Sequence, residues 1–385
     1  MVHDGMRDLV YISHEDRILR YSVADAAFLP PVLVGGNPVG LDLSPDGEAL
    51  AVADAGYGPE TLAIKLVDLD GLEVRTLEVA RESYEGGMWA VSYVADGSVV
   101  ATSSFLGSGW TPMRRFDVVS GAATIIADVR QNTMVSASGD RRAVAFAEAN
   151  ISSGSWGRYD AVTGQVVRRE GYDDGTSAFN FEIATNAVGN QYAIPTYRGT
   201  YIYDADFTNV ATFGTYAGPQ PVGVAYDPVD SLAYFPWAAT SEVRVYDMDL
   251  LAEVGAYDVG HVFEHTGNGA FGNGRVRLSG DGSLLMVSVE GGVRIVRMYA
   301  PLQAASFTVT APARMKHKFP LQGSVGNGGA VEYEIVQQPK HGRVTVSRGL
   351  ATYAGRGTGT GTDSFVYRAR YGRAVAEGVV TVNTR

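Results

Sequence analysis

The sequence predicts an all-β protein, a seven-bladed β-propeller followed by a smaller β-sandwich, and three observations carry that prediction. A phrase of Gly, apolar run, Ser-Pro-Asp-Gly turn, apolar strand and Tyr/Val-Asp strand recurs down the first three-quarters of the chain. Its spacing of roughly 40–50 residues is that of a four-stranded propeller blade. Beyond Pro301 the phrase stops, and runs such as Val331–Val336 and Arg343–Val346 alternate with period two instead.

The repeat is clearest at Asn37-Pro38-Val39-Gly40-Leu41-Asp42-Leu43-Ser44-Pro45-Asp46-Gly47. Within it, Val39–Leu43 reads as strand a, Leu50–Ala53 as b, Leu62–Asp68 as c and Val74–Val79 as d, with Gly, Pro and Asp between them. Strands this short need neighbours on both faces, and radial repetition of small sheets supplies them. The turn returns near Asp96-Gly97, Ser138-Gly139-Asp140, Gly189-Asn190, Asp227-Pro228 and Ser279-Gly280-Asp281-Gly282. Strand c ends in Arg20-Tyr21, Val67-Asp68, Phe116-Asp117, Tyr159-Asp160, Tyr203-Asp204, Tyr246-Asp247 and Met298-Tyr299, which counts seven blades. The first blade begins at Leu9–Ile12, which reads as strand b. Its strand a is therefore expected to be missing, with the ring closed by a strand from near Val296–Phe307. The boundary follows: 1–303 form the propeller and 304–385 the second domain.

Composition narrows the class. With 385 residues, 45% of them apolar, there is material for a large core and a second domain. The chain has no cysteine, which removes disulfides, thiolate metal sites and a Cys nucleophile together. No apolar run reaches the roughly 18–20 residues that span a bilayer, so the protein is expected not to be transmembrane. Met1–Gly5 lacks a basic-then-apolar leader pattern, so any leader peptide is expected to be absent from this sequence. From Ser306 onward there are 11 Lys+Arg against 4 Asp+Glu; subtracting from totals of 31 and 42 leaves 20 against 38, a net −18 for residues 1–305. An acidic propeller argues against nucleic acid as a partner, because phosphate neutralisation supplies most of that affinity.

The words Pro38–Gly47 and Pro221-Val222-Gly223-Val224-Ala225-Tyr226-Asp227-Pro228, each followed by strand b and a Val/Tyr-Asp strand, resemble the YVTN-type, surface-layer or lactonase-like family of seven-bladed propellers over about 300 residues. The family's strand word is degraded here to Ala51-Val52-Ala53-Asp54, and the fourth and fifth repeats match poorly. The resemblance implies the fold, since one fold hosts many activities. The tail is similar to cadherin-like, tandem-repeat Ig-fold modules of bacterial surface proteins through Gln338–Val346, Thr352-Tyr353 and Gly361-Thr362-Asp363-Ser364-Phe365-Val366-Tyr367. That likeness implies an Ig-like sandwich acting outside the cytoplasm, in the periplasm, at the cell surface or secreted.

Candidate site residues sit where the chain departs from its repeat. In a propeller the d–a and b–c loops share one face, to which the spacing assigns Trp89, Trp110, Trp156, Trp237, Tyr57, Tyr84, Tyr197 and Arg198. Aromatic platforms among Gly/Ser/Asn loops such as Ser104–Gly109 and Asn150–Gly157 suit a glycan, a peptide or a protein surface. Wedging between blades is the competing role for the same rings. His261, Glu264 and His265 carry the spacing of an inverted zincin motif, in which a helix sets both imidazoles on one face. Gly260, Gly267, Gly269 and Gly272 disfavour that helix, leaving a divalent metal pair or a Gly-rich lid as readings of a long d–a loop. Otherwise no cofactor is expected. The words Asp68-Leu69-Asp70-Gly71, Asp204-Ala205-Asp206 and Asp247-Met248-Asp249 read as hairpin turns rather than calcium loops, and Asp363 as a turn cap. For catalysis, Glu85, Glu148, Arg198, Glu242, His261 and Glu264 are the polar groups nearest a channel mouth, with no nucleophile elbow or phosphate loop among them. The sequence thus predicts an extracytoplasmic ligand-binding or adhesive protein, with a lactonase-like or carbohydrate-active enzyme, or a structural accessory of a surface assembly, as alternatives.

Overall fold

The computed structural model describes all residues except 57, 150–153, 173–178, 216–217, 265–272, 313–314, 356–360 and 373. The described residues form strands and turns without helices, and the chain divides into two compact units. One comprises Met1–Asp4, Asp8–Leu278 and Leu285–Val296; the other comprises Gly5–Arg7, Ser279–Leu284 and Arg297–Arg385.

The first unit is a seven-bladed propeller. Among the described residues seven antiparallel sheets follow one another, each with its strands adjacent in both sequence and space; six have four strands and the seventh has three. The innermost strands are Val2–Asp4, Pro38–Leu43, Glu85–Tyr93, Thr133–Ala137, Ala184–Thr185, Ala225–Tyr226 and Val276–Leu278. Each approaches the next, and the last approaches the first, so the ring is closed.

Closure differs from the sequence expectation. The first blade has its own strand a, Val2–Asp4, paired with Leu9–Tyr11; three residues are too short to show a period-two pattern. Val296 and Arg297 end the third strand of the seventh blade, and the residues from Met298 to Phe307 lend no strand to the first. Gln303–Ala304 pairs with Gly323–Ser324, and Phe307–Ala311 lies parallel to the C-terminal strand Ala374–Thr384.

Local chemistry explains the repeat. In the Ser-Pro-Asp-Gly turn, Ser44 Oγ donates to Asp46 Oδ1 at 2.5 Å, Glu48 N donates to the same oxygen, and Gly47 takes φ of +79°, a left-handed value that glycine adopts without steric cost. The same Ser-to-Asp bond forms at Ser138–Asp140 and Ser279–Asp281. The aspartate closing strand c accepts N–H bonds from two and three or four residues on: Asp117 from Val119 and Ser120, Asp204 from Asp206 and Thr208, Asp247 from Asp249 and Leu250. Asp68 does likewise with Asp70 and Gly71. These carboxylates are engaged in hairpin formation.

The core lies between blades. Leu62, Ile64 and Leu77 of the second blade meet Met88, Val91 and Phe116 of the third, and Ala184, Ile202 and Phe213 of the fifth meet Val224, Phe235 and Tyr246 of the sixth. Near the axis the blades converge too closely for side chains. A Cβ on Gly87 would stand 2.0 Å from Ala55 O, and one on Gly223 would stand 2.0 Å from Gly274 O.

In the second unit two sheets face a common core. Strands Phe307–Ala311, Ala374–Thr384, Gly361–Tyr371 and Glu332–Gln337 form one; Lys316–Pro320, Leu350–Gly355 and Gly342–Ser347 form the other. Phe319, Val344, Tyr353, Phe365, Tyr367 and Val380 fill the space between them. Asp363 accepts the N–H groups of Lys340 and His341 and the Tyr353 hydroxyl, so it anchors that turn from across the sheets. Burial first, then the bond to Asp363, pushes the Tyr353 phenol up to about 12.

Candidate functional site

Among the described residues, the third blade presents an aromatic surface at the d–a and b–c end of the propeller. Its second strand ends at Phe105 and its third begins at Trp110, so the intervening loop must carry apolar rings to the rim. Tyr84, just before the innermost strand, stacks on Phe105 with ring centroids 5.1 Å apart and planes 24° apart. Tyr84 is 38% exposed and the adjoining Leu106 50%. Leu106 N donates to Tyr84 O, which ties the two loops together. Gly109 lies under the Phe105 ring, where a Cβ would come within 2.6 Å of it.

Trp110 extends this surface. Cross-strand pairing sets it opposite Arg130, whose guanidinium lies 4.4 Å from the ring centroid. Arg168 of the fourth blade's outer strand lies 4.2 Å from the same ring and donates to Asp128 O at 2.8 Å. Such guanidinium–indole contacts add about 0.5–2 kcal/mol each. Burial first, then the carboxylates of Glu82, Glu85 and Asp128, raise the Tyr84 phenol above its ordinary value, so it stays a neutral hydrogen-bonding group.

Beneath the patch lies Glu85, the first residue of the innermost strand. It is fully buried and saturated: Arg114 binds both carboxylate oxygens at 2.6 and 2.7 Å, Ser103 Oγ donates at 2.6 Å and Glu82 N at 3.0 Å. Burial alone would push its pKa up. The bonds from Arg114, Ser103 and Glu82 N outweigh that and hold it below the usual carboxylate value. A carboxylate so committed positions the Tyr84–Glu85 turn; it has no lone pair left for a substrate proton.

The other sequence candidates are distributed unevenly. Trp89, expected on the loop face, lies instead inside the innermost strand of the third blade, Glu85–Tyr93, and packs on Met134 and Ala149 of the fourth. Trp156 is fully buried, with its ring 4.4 Å from Tyr203 and its Nε1 donating to Gly171 O at 3.2 Å. Trp237 is also buried, stacked on Tyr246 with Arg244 over its ring at 4.4 Å. These two tryptophans wedge between strands and blades, where burial of a large ring contributes most. Tyr197, 41% exposed, and the exposed Arg198 do reach the surface, next to Phe179, whose carbonyl accepts Tyr197 N. Tyr57 and His265 lie outside the described residues.

The segment carrying the zincin-like spacing is extended where described. Phe263 bridges to Ala238 in parallel, accepts Ala239 N and donates to Thr240 O, which fastens the loop to the sixth blade. His261 is half-buried and Glu264 exposed. Among the described residues no three His, Asp or Glu side chains gather as metal ligands. Glu148 is buried with Arg130 Nε at 4.0 Å, and Glu242 pairs with Arg244 at 3.2 Å. Sequence reasoning placed the Ser104–Gly109 loop on this face without singling out Phe105 or Leu106, and it missed Arg130 and Arg168. An apolar pair at a strand end reads as core, and the two arginines reach Trp110 from strands 20 and 58 residues later in the chain.

The fold has relatives among solved structures. The chain is similar to Kuenenia stuttgartiensis hydrazine synthase, with 16% identity and a TM-score of 0.55 over 77% of this chain and 94% of that one. It is also similar to a functionally unknown protein from Desulfotomaculum acetoxidans, with 16% identity and a TM-score of 0.55 over 75% and 92%. The β-propeller domain of Myceliophteria thermophila Cps50 (Swd1) gives 12% identity and 0.52 over 77% and 96%. Identities this low speak to the fold alone. No protein-family model matches the chain, and no curated protein does.

Proposed function

We propose that the protein is an extracytoplasmic binding protein that holds a glycan, peptide or protein partner on the loop face of its propeller, with the third blade as the principal contact. The observation that carries this reading is the open Tyr84–Phe105 stack beside Trp110 and its two guanidinium groups. Exposed rings supply stacking area, and Arg130 and Arg168 add positive charge to a propeller that is otherwise strongly acidic. A flat ligand face flanked by carboxylates fits that combination. The YVTN-type kinship rests on the Pro38–Gly47 and Pro221–Pro228 phrases, and the location outside the cytoplasm on the Ig-like words of the tail. Saturation of Glu85 by Arg114 favours binding over a hydrolytic use of that carboxylate.

Titration calorimetry with a panel of neutral and uronic-acid oligosaccharides and acidic aromatic peptides tests this. Acidic members should bind, more weakly at higher salt, and Tyr84→Ala should weaken them about tenfold, as expected for one lost stacking contact. Equal behaviour of Tyr84→Ala and the parent protein toward every ligand that binds would overturn the reading.

A further inference from the structure

Blade seven is the one sheet that ends, among the described residues, at its third strand, Gly292–Arg297. In the other blades that position is interior and is covered by an outer strand. The contrast with blade six is direct: Met248 N donates to Ser231 O as Met298 N donates to Ser283 O, which sets Glu242–Tyr246 and Gly292–Val296 at the same place in their blades and ends this strand at Arg297, short of the Met298-Tyr299 expected from the repeat. In blade six Val243, Val245 and Tyr246 are buried, whereas Val293, Ile295 and Val296 are all partly open to solvent. A Cβ built on Gly291 or Gly292 would meet nothing within 4 Å.

Blade six also records what an outer strand supplies. Ala252–Asp258 runs antiparallel to Glu242–Asp247, and its Glu253 meets Arg244 at 3.5 Å and accepts from Tyr246 OH at 3.3 Å. Arg294 occupies the place of Arg244, is exposed, and has no carboxylate partner among the described residues. An edge with no further strand along it among the described residues, beside half-covered Val and Ile, is a template for strand addition.

We propose that the edge of Gly292–Val296 is a docking site for an extended segment of a partner protein, which adds antiparallel as the fourth strand of blade seven. The segment fits if its residues alternate between apolar and polar and it carries a carboxylate facing Arg294. This site is separate from the third-blade patch and does not depend on what that patch binds.

The probe is a labelled synthetic peptide with the sequence Leu250–Gly260 of this chain, added to the full-length protein and followed by fluorescence anisotropy. Saturable binding is expected, with a dissociation constant on the order of 10–100 μM. Arg294→Glu should weaken it about tenfold, and a peptide carrying Glu253→Lys should regain the loss against that variant. Hydrogen exchange should slow at the Val293–Val296 amides when the peptide binds. Arg294 is exposed, so the variant keeps the fold. Absence of saturable binding, equal binding of a scrambled peptide, or indifference to Arg294→Glu overturns the proposal. So does a protein dimer that Arg294→Glu dissolves, because the edge would then belong to a second copy of this chain.

Discussion

Blades two to four and blades five to seven are tied by the same device, used at different depths. In the first group Asp42 accepts Tyr93 N from the next blade at 2.8 Å and pairs with Arg141, two blades on, at 2.7 Å. In the second group Glu182 accepts Val224 N from the next blade at 3.1 Å and pairs with Arg277, two blades on, at 2.5 Å. No strand ladder joins adjacent blades among the described residues, so a carboxylate that reaches the next two blades supplies directional bonding that the apolar interfaces lack. The two ties differ in their surroundings. The Asp42 side chain is 17% exposed, takes a second bond from Ser92 and faces one guanidinium. Glu182 is 1% exposed and faces two, with Arg275 also near at 3.7 Å and itself buried. Arg277 is 39% exposed against 10% for Arg141, so what is deeper in the second tie is the carboxylate together with Arg275, and removing Glu182 leaves that buried guanidinium without its counter-charge.

The largest effect should follow from Glu182→Ala. It takes the carboxylate away from Arg275, whose side chain is 7% exposed, while Arg277 at 39% can turn to water, and it should cost the propeller about 3–5 kcal/mol, the range for breaking a buried pair. Urea unfolding followed by tryptophan fluorescence reads this, since Trp156 and Trp237 are buried in the fourth and sixth blades. Asp42→Ala should cost less, about 1.5–3 kcal/mol, because the carboxylate removed is itself 17% exposed and Arg141 keeps its bond to Tyr93 O. If the Asp42 variant proves the less stable of the two, depth is not what separates the ties, and the register of Arg141 in its turn must be.

Neither tie was readable from sequence. Asp42 and Arg141 are 99 residues apart and Glu182 and Arg277 are 95, and no local pattern connects such pairs. What was readable is what short-range bonding decides. Ser44-Pro45-Asp46-Gly47 and the aspartates closing strand c form their turns from neighbours within five residues, so blade count and strand order followed from them. Legibility failed where length or environment decided instead. Val2–Asp4 is too short to alternate, and Trp156 and Trp110 carry the same side chain although one is buried between blades and the other lies at the rim. Tyr84 in the third blade and Tyr197 in the fifth are exposed, as expected from their loops, and Trp110 is half-buried at the start of its strand. Phe105 and Leu106 were not legible, because exposure of an apolar pair depends on how far the loop overhangs its blade.

The smallest effect separates a tie across blades from one within a blade. Glu85 and Arg114 both belong to the third blade, and the pair is as buried as Glu182. Burial raises the Glu85 pKa, but Arg114, Ser103 and Glu82 N together hold it below the ordinary glutamate value. A carboxyl whose folded value is depressed contributes stability that is complete above its unfolded value and is lost as pH falls through the folded one. Propeller stability should therefore decline as pH drops below about 4.5, and Glu85→Gln should decline less steeply over that window while starting from a lower plateau. Urea midpoints measured at intervals from about pH 6 to pH 3 give both slopes. Parallel slopes would mean that Glu85 does not titrate in that window, and that acid acts on the propeller through the ties between blades.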